Sequence, residues 1–535
     1  ITRHTEFDVM WPSGENGRLV YEMGGALYLL ELATGENRRV RVGIHYDNPH
    51  LQASFRNVKK HIGSLGLSPT GKRALIEARG DIFSVPVEKG ETHNLTRTQG
   101  VRELSPVWSP DGKQIAFYSD ATGEYELYLL ENRDNAEPRQ ITHGSSSWKH
   151  AAEWSPNSSH LVYSDRTMKL LLVDAISGKQ QVIDEATADE ITDYTFSPDG
   201  EWIAYSKTAP NYQSALWVYN LTSGEKRQLT DASFSDGDPL FSRDGNYLFF
   251  LSNRDFNLAF SSFEFDYLYN NATRIYALPL KDDGTTLTPY RDDQESVPRE
   301  NNAEEKKQEK SETEQAKVTI HFNDINSRIE ALPLQPGNYR ILGAVEEGLL
   351  FTTGNKVIRY NIREEKTEEI LDGVGNGILA ADGKSFIYRK GETFAVAKNQ
   401  PGQNSNNGKL ELDHLTMKID PPKEWEQIYR DAFRIFRDYF YVNNLHGVDW
   451  EGIRQRYGKL LPHLPSRFDL DYILNEVVSE TNTGHAYVDW GDIDRVERIE
   501  GGLLGAELEA DSSANRYRIN KIYSGENWNE SRRSP

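Results

Sequence analysis

Short apolar stretches that alternate with polar residues recur along the first three quarters of the chain. One such stretch is Ile115–Ser119, and a second one, Glu126–Leu130, follows it after a polar turn. A period of two residues predicts β-strands whose side chains point alternately to opposite faces. From Pro421 onward the apolar residues are instead spaced three and four apart, which predicts helices. The pattern therefore divides the chain into a long β region and a shorter helical region.

A recurring polar turn separates the predicted strands. Its fullest form is Trp-Ser-Pro-Asp-Gly-Lys at 108–113, where Pro presets φ and Asp-Gly supplies a hydrogen-bonding side chain followed by a positive φ. Copies of the turn begin at Leu67, Trp108, Trp154, Phe196, Phe241 and Leu379. The first five copies lie 41 to 46 residues apart. Four strands in each unit of that length indicate the blades of a β-propeller.

The spacing predicts a seven-bladed propeller over residues 56–415, with blades centred near 68, 109, 155, 197, 242, 346 and 380. One segment, 292–317, is rich in Glu, Lys, Gln and Ser and has hardly any apolar residues. Such a segment cannot bury enough surface to fold, so we expect a disordered charged loop inside the propeller. Residues 1–55 also contain a blade-like pattern, which we interpret as the end of a preceding propeller or as a closing blade.

The helical region is expected to span residues 420–498. The apolar face of its first helix is formed by Trp425, Ile428, Tyr429, Ala432, Phe433, Phe436 and Phe440. A second helix is predicted after an N-cap at Asp449, and a third begins near Ser466. We expect 482–484 (Asn-Thr-Gly) to end the third helix, with Gly484 at its C-cap. His485 follows, and then the strand-like residues 486–488. By position alone, a His just past a helix end is more often structural than catalytic.

Composition excludes several classes of protein. The chain carries 82 acidic and 61 basic residues, so its net charge of −21 argues against a nucleic-acid partner. It has no cysteine, which excludes disulfides, cysteine-ligated metals and cysteine nucleophiles. No apolar run approaches 18 residues, so we expect no membrane span. The sequence opens without Met or an apolar signal core, and we read its start as trimmed. We expect a cytoplasmic protein, or a periplasmic one if a signal peptide was removed.

Motifs for other chemistries are incomplete. Residues 66–72 read G-x-x-x-x-G-K, but Arg73 follows and the segment is a turn between strands, so nucleotide binding is not expected. No G-x-S-x-G occurs, which weakens a pairing of propeller and α/β-hydrolase. No H-E-x-x-H occurs either, and the histidines of the β region show no ligand spacing. Among them, His45, His50, His61, His143 and His150 are scattered in predicted loops. We therefore expect no metal and no cofactor.

Several longer stretches resemble the tricorn peptidase family, and the resemblance covers essentially the whole chain. In the helical region they are 425–434 (WEQIYRDAFR), 438–441 (DYFY) and 484–487 (GHAY). In the propeller they are 78–83 (ARGDIF) and 123–127 (GEYEL). Residues 502–506 and 517–523 resemble the first strands of that family's PDZ domain. We therefore expect residues 499–535 to begin a PDZ domain.

The resemblance implies a serine peptidase that degrades oligopeptides, with the propeller as substrate channel or filter and His485 as general base. It places the nucleophilic serine in a C-terminal domain absent from this sequence, and it implies a homo-oligomer, a hexamer in relatives. The family usually has Ser immediately before this His, where Gly484 stands here, with Thr483 one residue earlier. That departure keeps open an alternative, a non-catalytic propeller–PDZ protein that binds peptides.

Overall fold

A computed structural model describes residues 2–45, 47–133, 135–255, 258–269, 271–287, 316–489, 491–492, 501 and 504–533. The chain folds as two compact units, Ile1–Val488 and Asp489–Pro535. The sequence predicted a boundary between residues 498 and 499, so the division between the two units falls about ten residues before the predicted boundary. Residues 292–315 of the predicted loop at 292–317 lie outside the described residues.

The first unit is mainly antiparallel sheet. Its strands before the propeller are β1 (Val9–Glu15), β2 (Arg18–Met23), β3 (Ala26–Glu31), β4 (Asn37–Arg39) and β5 (Ser54–Asn57). The propeller strands are β6 (Ile62–Leu67), β7 (Arg73–Ala78), β8 (Asp81–Pro86), β9 (His93–Asn94), β10 (Glu103–Trp108), β11 (Gln114–Ser119), β12 (Glu126–Glu131), β13 (Arg139–Gln140), β14 (Glu153–Trp154), β15 (His160–Ser164), β16 (Lys169–Asp174), β17 (Gln180–Glu185), β18 (Tyr194–Phe196), β19 (Trp202–Thr208), β20 (Ser214–Asn220), β21 (Lys226–Gln228), β22 (Asp236–Phe241), β23 (Tyr247–Ser252), β24 (Leu258–Ser261), β25 (Asp266–Tyr269), β26 (Arg274–Pro279), β27 (Glu330–Ala331), β28 (Tyr339–Val345), β29 (Gly348–Thr353), β30 (Lys356–Asn361), β31 (Lys366–Asp372), β32 (Gly377–Leu379), β33 (Ser385–Lys390) and β34 (Thr393–Lys398).

Within the described residues these strands form six four-stranded sheets and one three-stranded sheet, β32–β34. The first strand of each sheet contacts the first strand of the next, and β32 contacts β6, so the first strands line a closed ring. The sheets lie at the predicted blade centres. The number of seven blades remains a prediction. In the fifth sheet a hairpin, β24–β25, stands between its second and third strands, an insertion that the spacing did not predict.

The alternation along each strand serves two cores at once. In β11, Ile115 and Phe117 pack against the preceding sheet, whereas Ala116 and Tyr118 pack against the following one. All four side chains are buried. Each large apolar side chain buried in this way contributes roughly 1.5–3 kcal/mol to the stability of the fold. Neighbouring blades are therefore held together by the same strands that form them.

The repeated turn is built on its serine. Ser109 Oγ accepts the N–H of Gln114 at 2.9 Å and donates to Asp111 at 2.7 Å, and four further copies use the same serine acceptor. Those copies are Ser68, Ser155, Ser197 and Ser242. Gly112 follows at φ 72°, a conformation that favours glycine, whereas the third blade places Ser158 there at φ 59°. The serine fixes the strand-to-strand turn from inside.

Residues 1–55 do not add a blade to the ring in the described structure. β1–β4 form a sheet of their own, and Phe7, just before β1, packs edge-on against Tyr457 of the helical region, with ring centroids 5.4 Å apart. β5 pairs with β35 (Thr416–Ile419), which follows the propeller. These two strands form a strap that joins the chain entering the ring to the chain leaving it.

Three helices follow: α1 (Pro421–Tyr439), α2 (Trp450–Gly458) and α3 (Arg467–Ser479). The predicted N-cap of α2 is confirmed, since Asp449 accepts the Gly452 N–H at 2.9 Å. The predicted C-cap at Gly484 is wrong. α3 ends at Ser479, and the positive φ values belong to Asn482 and His485. The second unit contains the hairpin β36 (Ala506–Asp511) and β37 (Arg516–Ile522).

Candidate active site

The predicted catalytic residue, His485, lies in an exposed turn beyond α3. Its backbone is left-handed, with φ 58°, and the residues after it, 486–488, form no strand, contrary to prediction. Its Nδ1 lies 3.2 Å from the hydroxyl of Tyr487. Among the residues that the structure describes, no carboxylate or serine hydroxyl contacts the imidazole. The ring is therefore accessible, but its orienting partner is not among its described neighbours.

Thr483 bonds within the turn that ends α3. Its hydroxyl donates to the carbonyl oxygen of Thr481 at 3.2 Å, and Thr481 in turn donates to Val478 at 2.7 Å. These bonds close the end of α3 and leave no contact between Thr483 and His485. The threonine stabilises the turn that carries the histidine.

A second histidine, which the sequence did not single out, contacts the same turn. His446 Nδ1 lies 3.0 Å from the Thr481 carbonyl oxygen, and because a carbonyl only accepts, Nδ1 carries the proton. Its Nε2 bonds to the hydroxyl of Tyr441, and its ring stands edge-on to Phe440. His446 is thus a support for the segment that leads to His485. The only sequence feature that pointed to this contact was the 438–441 motif, which contains Phe440 and Tyr441.

Helix α1 fixes this region to the propeller through charged groups. Arg434 is 5% exposed at its side chain and pairs with Asp120, which is 0% exposed, and with Asp431. Tyr125 donates to Asp431 at 3.1 Å, and Arg437 pairs with Glu124 at 2.6 Å. The stretches 123–127 and 425–434, which the sequence marked separately, are therefore two sides of one interface.

The interface lies on one defined face of the propeller. Asp120 and Glu124 belong to the connection between β11 and β12, the second and third strands of their sheet. Arg79 lies in the equivalent connection of the preceding sheet, between β7 and β8, and pairs with Glu424 at 2.6 Å. The serine turns join first to second strands. In an antiparallel meander these two kinds of connection lie at opposite edges, so the helices cover one face and the serine turns form the other.

Two carboxyl groups in the propeller, Glu103 and Glu153, have pKa values raised by burial. Glu103 is 2% exposed and shares the hydroxyl of Thr98 with Asp81. Burial, with the nearby charge of Asp81, raises the pKa of Glu103 to about 8. Burial also raises the pKa of Glu153 to about 7, although it accepts the Thr195 hydroxyl at 2.9 Å.

A cavity of about 2240 Å³ opens at the face with the serine turns. Its lining comes from the turns of at least five sheets, including Thr70, Pro156, Pro198, Ser242 and Asp382. Arg243, which stands where other blades have Pro, donates to the carbonyl oxygens of Ala344 at 2.9 Å and Ala381 at 2.7 Å. The cavity is the mouth of the ring on the side away from the helices.

The described residues hold no group of three or more His, Cys, Asp or Glu side chains placed to bind a metal ion. None of the helices among them is both long and apolar enough to cross a membrane.

Comparison with known proteins relates each region to one family. Residues 62–400 match the family model described as the tricorn protease second beta propeller domain. Residues 421–479 match the tricorn protease C1 domain, and residues 502–535 match the tricorn protease PDZ domain.

Individual relatives agree with these matches. The chain is 25% identical to tricorn protease homolog 1 of Streptomyces coelicolor, over 100% of this chain and 53% of the relative. It is 24% identical to the tricorn protease homolog of Saccharolobus solfataricus, over 100% of this chain and 49% of the relative. The chain thus spans about half the length of these curated relatives.

The fold is shared with a solved structure. A crystal structure of the tricorn protease matches all of this chain and 52% of its own, with a TM-score of 0.77 and 19% identity. One family model alone matches residues 62–400, more than half of the sequence, and two further models of that family follow it in order. The chain belongs to the tricorn protease family.

Proposed function

We propose that this chain is part of a serine-type peptidase that degrades oligopeptides, with His485 as its general base. The observation that carries the proposal is the exposed imidazole of His485 on the turn after α3, in the unit that also contains the ring. A neutral imidazole takes the proton of a serine hydroxyl and returns it to the leaving amine. The nucleophile is proposed to lie in a C-terminal domain outside these residues.

The propeller is proposed to act as substrate channel or filter. Its ring has the serine turns at one face and the helices at the other, so a peptide that crosses it passes from open solvent to the side of His485. The resemblance to the family also leads us to propose a homo-oligomer, which would be a hexamer. We propose a cytoplasmic location as well.

A second function, peptide binding without cleavage, is favoured by one observation. Gly484 stands in the place of the family's serine, and Thr483 bonds to Thr481 and not to His485. An imidazole without an oriented tautomer is a poor base. In this alternative the propeller and the PDZ region capture peptides, and His485 is structural.

The test uses the natural full-length protein with fluorogenic tri- and tetrapeptides. His485→Ala is expected to lower kcat/KM by about a thousandfold or more, the scale of losing a triad base. His463→Ala, an exposed histidine of the same helical region, is the matched control and should leave the rate unchanged. Equal rates for wild type and His485→Ala would reject the role of His485. Peptide binding without any turnover in wild type would favour the second function.

A further inference from the structure

The mouth of the ring has a charge opposite to that of the molecule. Seven basic and five acidic residues line the cavity, whereas the whole chain has 61 basic and 82 acidic residues. The lining therefore carries two more basic than acidic residues, although the whole chain is acidic.

Several of these cations have no ion-pair partner among the described residues. Lys72 and Lys384 each follow the glycine of the repeated turn, on the first and last sheets of the ring, where Ala380 takes the place of the serine in the last copy. Gly71 approaches Ser385 so closely that an added Cβ would lie 2.0 Å from its Oγ, so the two turns are neighbours. Lys89 and Lys398 line the same cavity, and all four lysines are exposed. The first and last blades thus place four lysines on the lining of one cavity.

The acidic groups of the lining are largely engaged. Glu347 pairs with Arg363 at 3.0 Å, and Asp244 accepts from Ser242 at 2.6 Å. Asp382 accepts the backbone N–H of Lys384 at 2.9 Å. The ion pair of Glu347 and Arg363 removes one charge of each sign, so the remaining cations, the four lysines among them, still outnumber the remaining anions by two. A concave surface of one sign raises the local concentration of ligands of the other sign.

We propose that this mouth selects peptides that carry carboxylate groups, in acidic side chains or at the C-terminus, with Lys72, Lys89, Lys384 and Lys398 as the selecting cations. The inference rests on the proposed function only in naming a peptide as the ligand. Carboxylates suit these groups because each ammonium is a mobile point charge that needs no fixed geometry to pair. The protein's net charge would otherwise repel such peptides.

The experiment measures binding and not cleavage. Two fluorescein-labelled decapeptides of equal length, one rich in Glu and one of Gly and Ser, are titrated with the full chain and followed by fluorescence anisotropy at low salt. We expect the acidic peptide to bind at least about tenfold more tightly, with a preference that shrinks as salt rises. Lys72→Glu/Lys384→Glu should abolish that preference.

The control is Lys113→Glu/Lys179→Glu, which makes the same change in net charge. Lys113 occupies the equivalent turn of the second blade, but it pairs with Asp111 and does not line the cavity. The control should keep the preference. Equal binding of the two peptides by wild type, or equal losses in the two double variants, would overturn the inference. Hydrolysis of the same peptides by the natural full-length protein is measured in parallel. Charge-selective binding without hydrolysis counts against the proposed function alone, and hydrolysis without charge selection counts against this inference alone.

Discussion

The guanidinium of Arg434 donates to the carboxylate of Asp120 and so joins helix α1 to the propeller through two side chains that water does not reach. The same guanidinium bonds to Asp431 at 3.1 Å and to the carbonyl oxygen of Gly123 at 2.5 Å. Removing one partner of such a network leaves the other charges buried without compensation. The position of the helices on the propeller therefore depends on this arginine.

Replacing Arg434 with Met should destabilise the first unit by about 3–5 kcal/mol, because Asp120 would stay buried without a counter-charge and Asp431 would keep only its pair with Arg102. The measurement is the urea transition followed by tryptophan fluorescence. Arg454→Met is the control, since its pair with Glu451 is exposed and contributes about 0–1 kcal/mol. Adding Asp120→Asn to Arg434→Met should recover part of the loss. A loss no larger than that of the control would contradict the structural role of Arg434.

Glu103 makes stability depend on pH in a specific direction. Its pKa rises from 4.5 in the unfolded chain to about 8 in the fold, so the folded state holds the proton over that range. The contribution of Glu103 is fully present below pH 4.5 and is lost as the pH rises through about 8. Glu103→Gln should therefore melt like wild type near pH 4.5 and at a higher temperature than wild type above pH 8.

Glu451→Gln provides the opposite case for that experiment. Hydrogen bonds from Arg454 and Gln455 lower the pKa of Glu451 to about 2. Its stabilising effect is present above pH 4.5 and is lost as the pH falls towards 2. Between pH 4.5 and 8 the Glu451→Gln difference should stay constant. A Glu103→Gln difference that also stays constant there would show that the buried carboxyl titrates normally.

The serine of the repeated turn should contribute more to the stability of the fold than a small side chain usually does. Ser197→Ala removes the acceptor for the Trp202 N–H and the donor to Asp199. A buried N–H left without a partner costs about 1–3 kcal/mol, and because Trp202 is only partly buried we expect a loss near the lower end of that range in thermal unfolding. Ser233→Ala, at an exposed serine outside the turns, should be neutral. Equal melting temperatures for both variants would show that Pro198 and Gly200 hold the turn without the serine.

His446 should act on the proposed reaction by positioning the turn before His485. His446→Ala removes the bond to the Thr481 carbonyl, and we expect kcat of the natural protein to fall on the order of tenfold to hundredfold while KM changes little. His446→Gln, which keeps an N–H donor, should restore most of the rate. A loss of thermal stability in both variants without any such difference in kcat would assign His446 a structural role only.

Much of the propeller could be predicted because its information is local. Each serine turn specifies its own geometry within six residues, and the alternation of apolar residues follows from the two cores that each strand serves. The N-cap at Asp449 could be predicted for the same reason, since it depends on a contact only three residues away. The hairpin β24–β25 was missed because its apolar side chains, among them Phe263 and Phe265, are exposed and mark no repeat.

The candidate site was less predictable because it depends on contacts between distant segments. Asp431 and Arg434 lie on the face of α1 away from its apolar stripe, where a charged pair normally meets water. Only the fold brings Asp120 to them across more than 300 residues. The C-cap prediction failed for a local reason: Asn482 tolerates the left-handed conformation, so the chain turns before reaching Gly484.

The strap of β5 and β35 determines how the ring would respond to tension. Ser54 pairs with Ile419 at its outer end, and Asn57 pairs with Thr416 next to the blades. Force applied through the two flanking segments would act on the same outer end of this antiparallel ribbon, so its hydrogen bonds would break one pair at a time. Once the ion pairs of α1 with the propeller have broken, the strap would open before any blade is loaded and leave the ring intact.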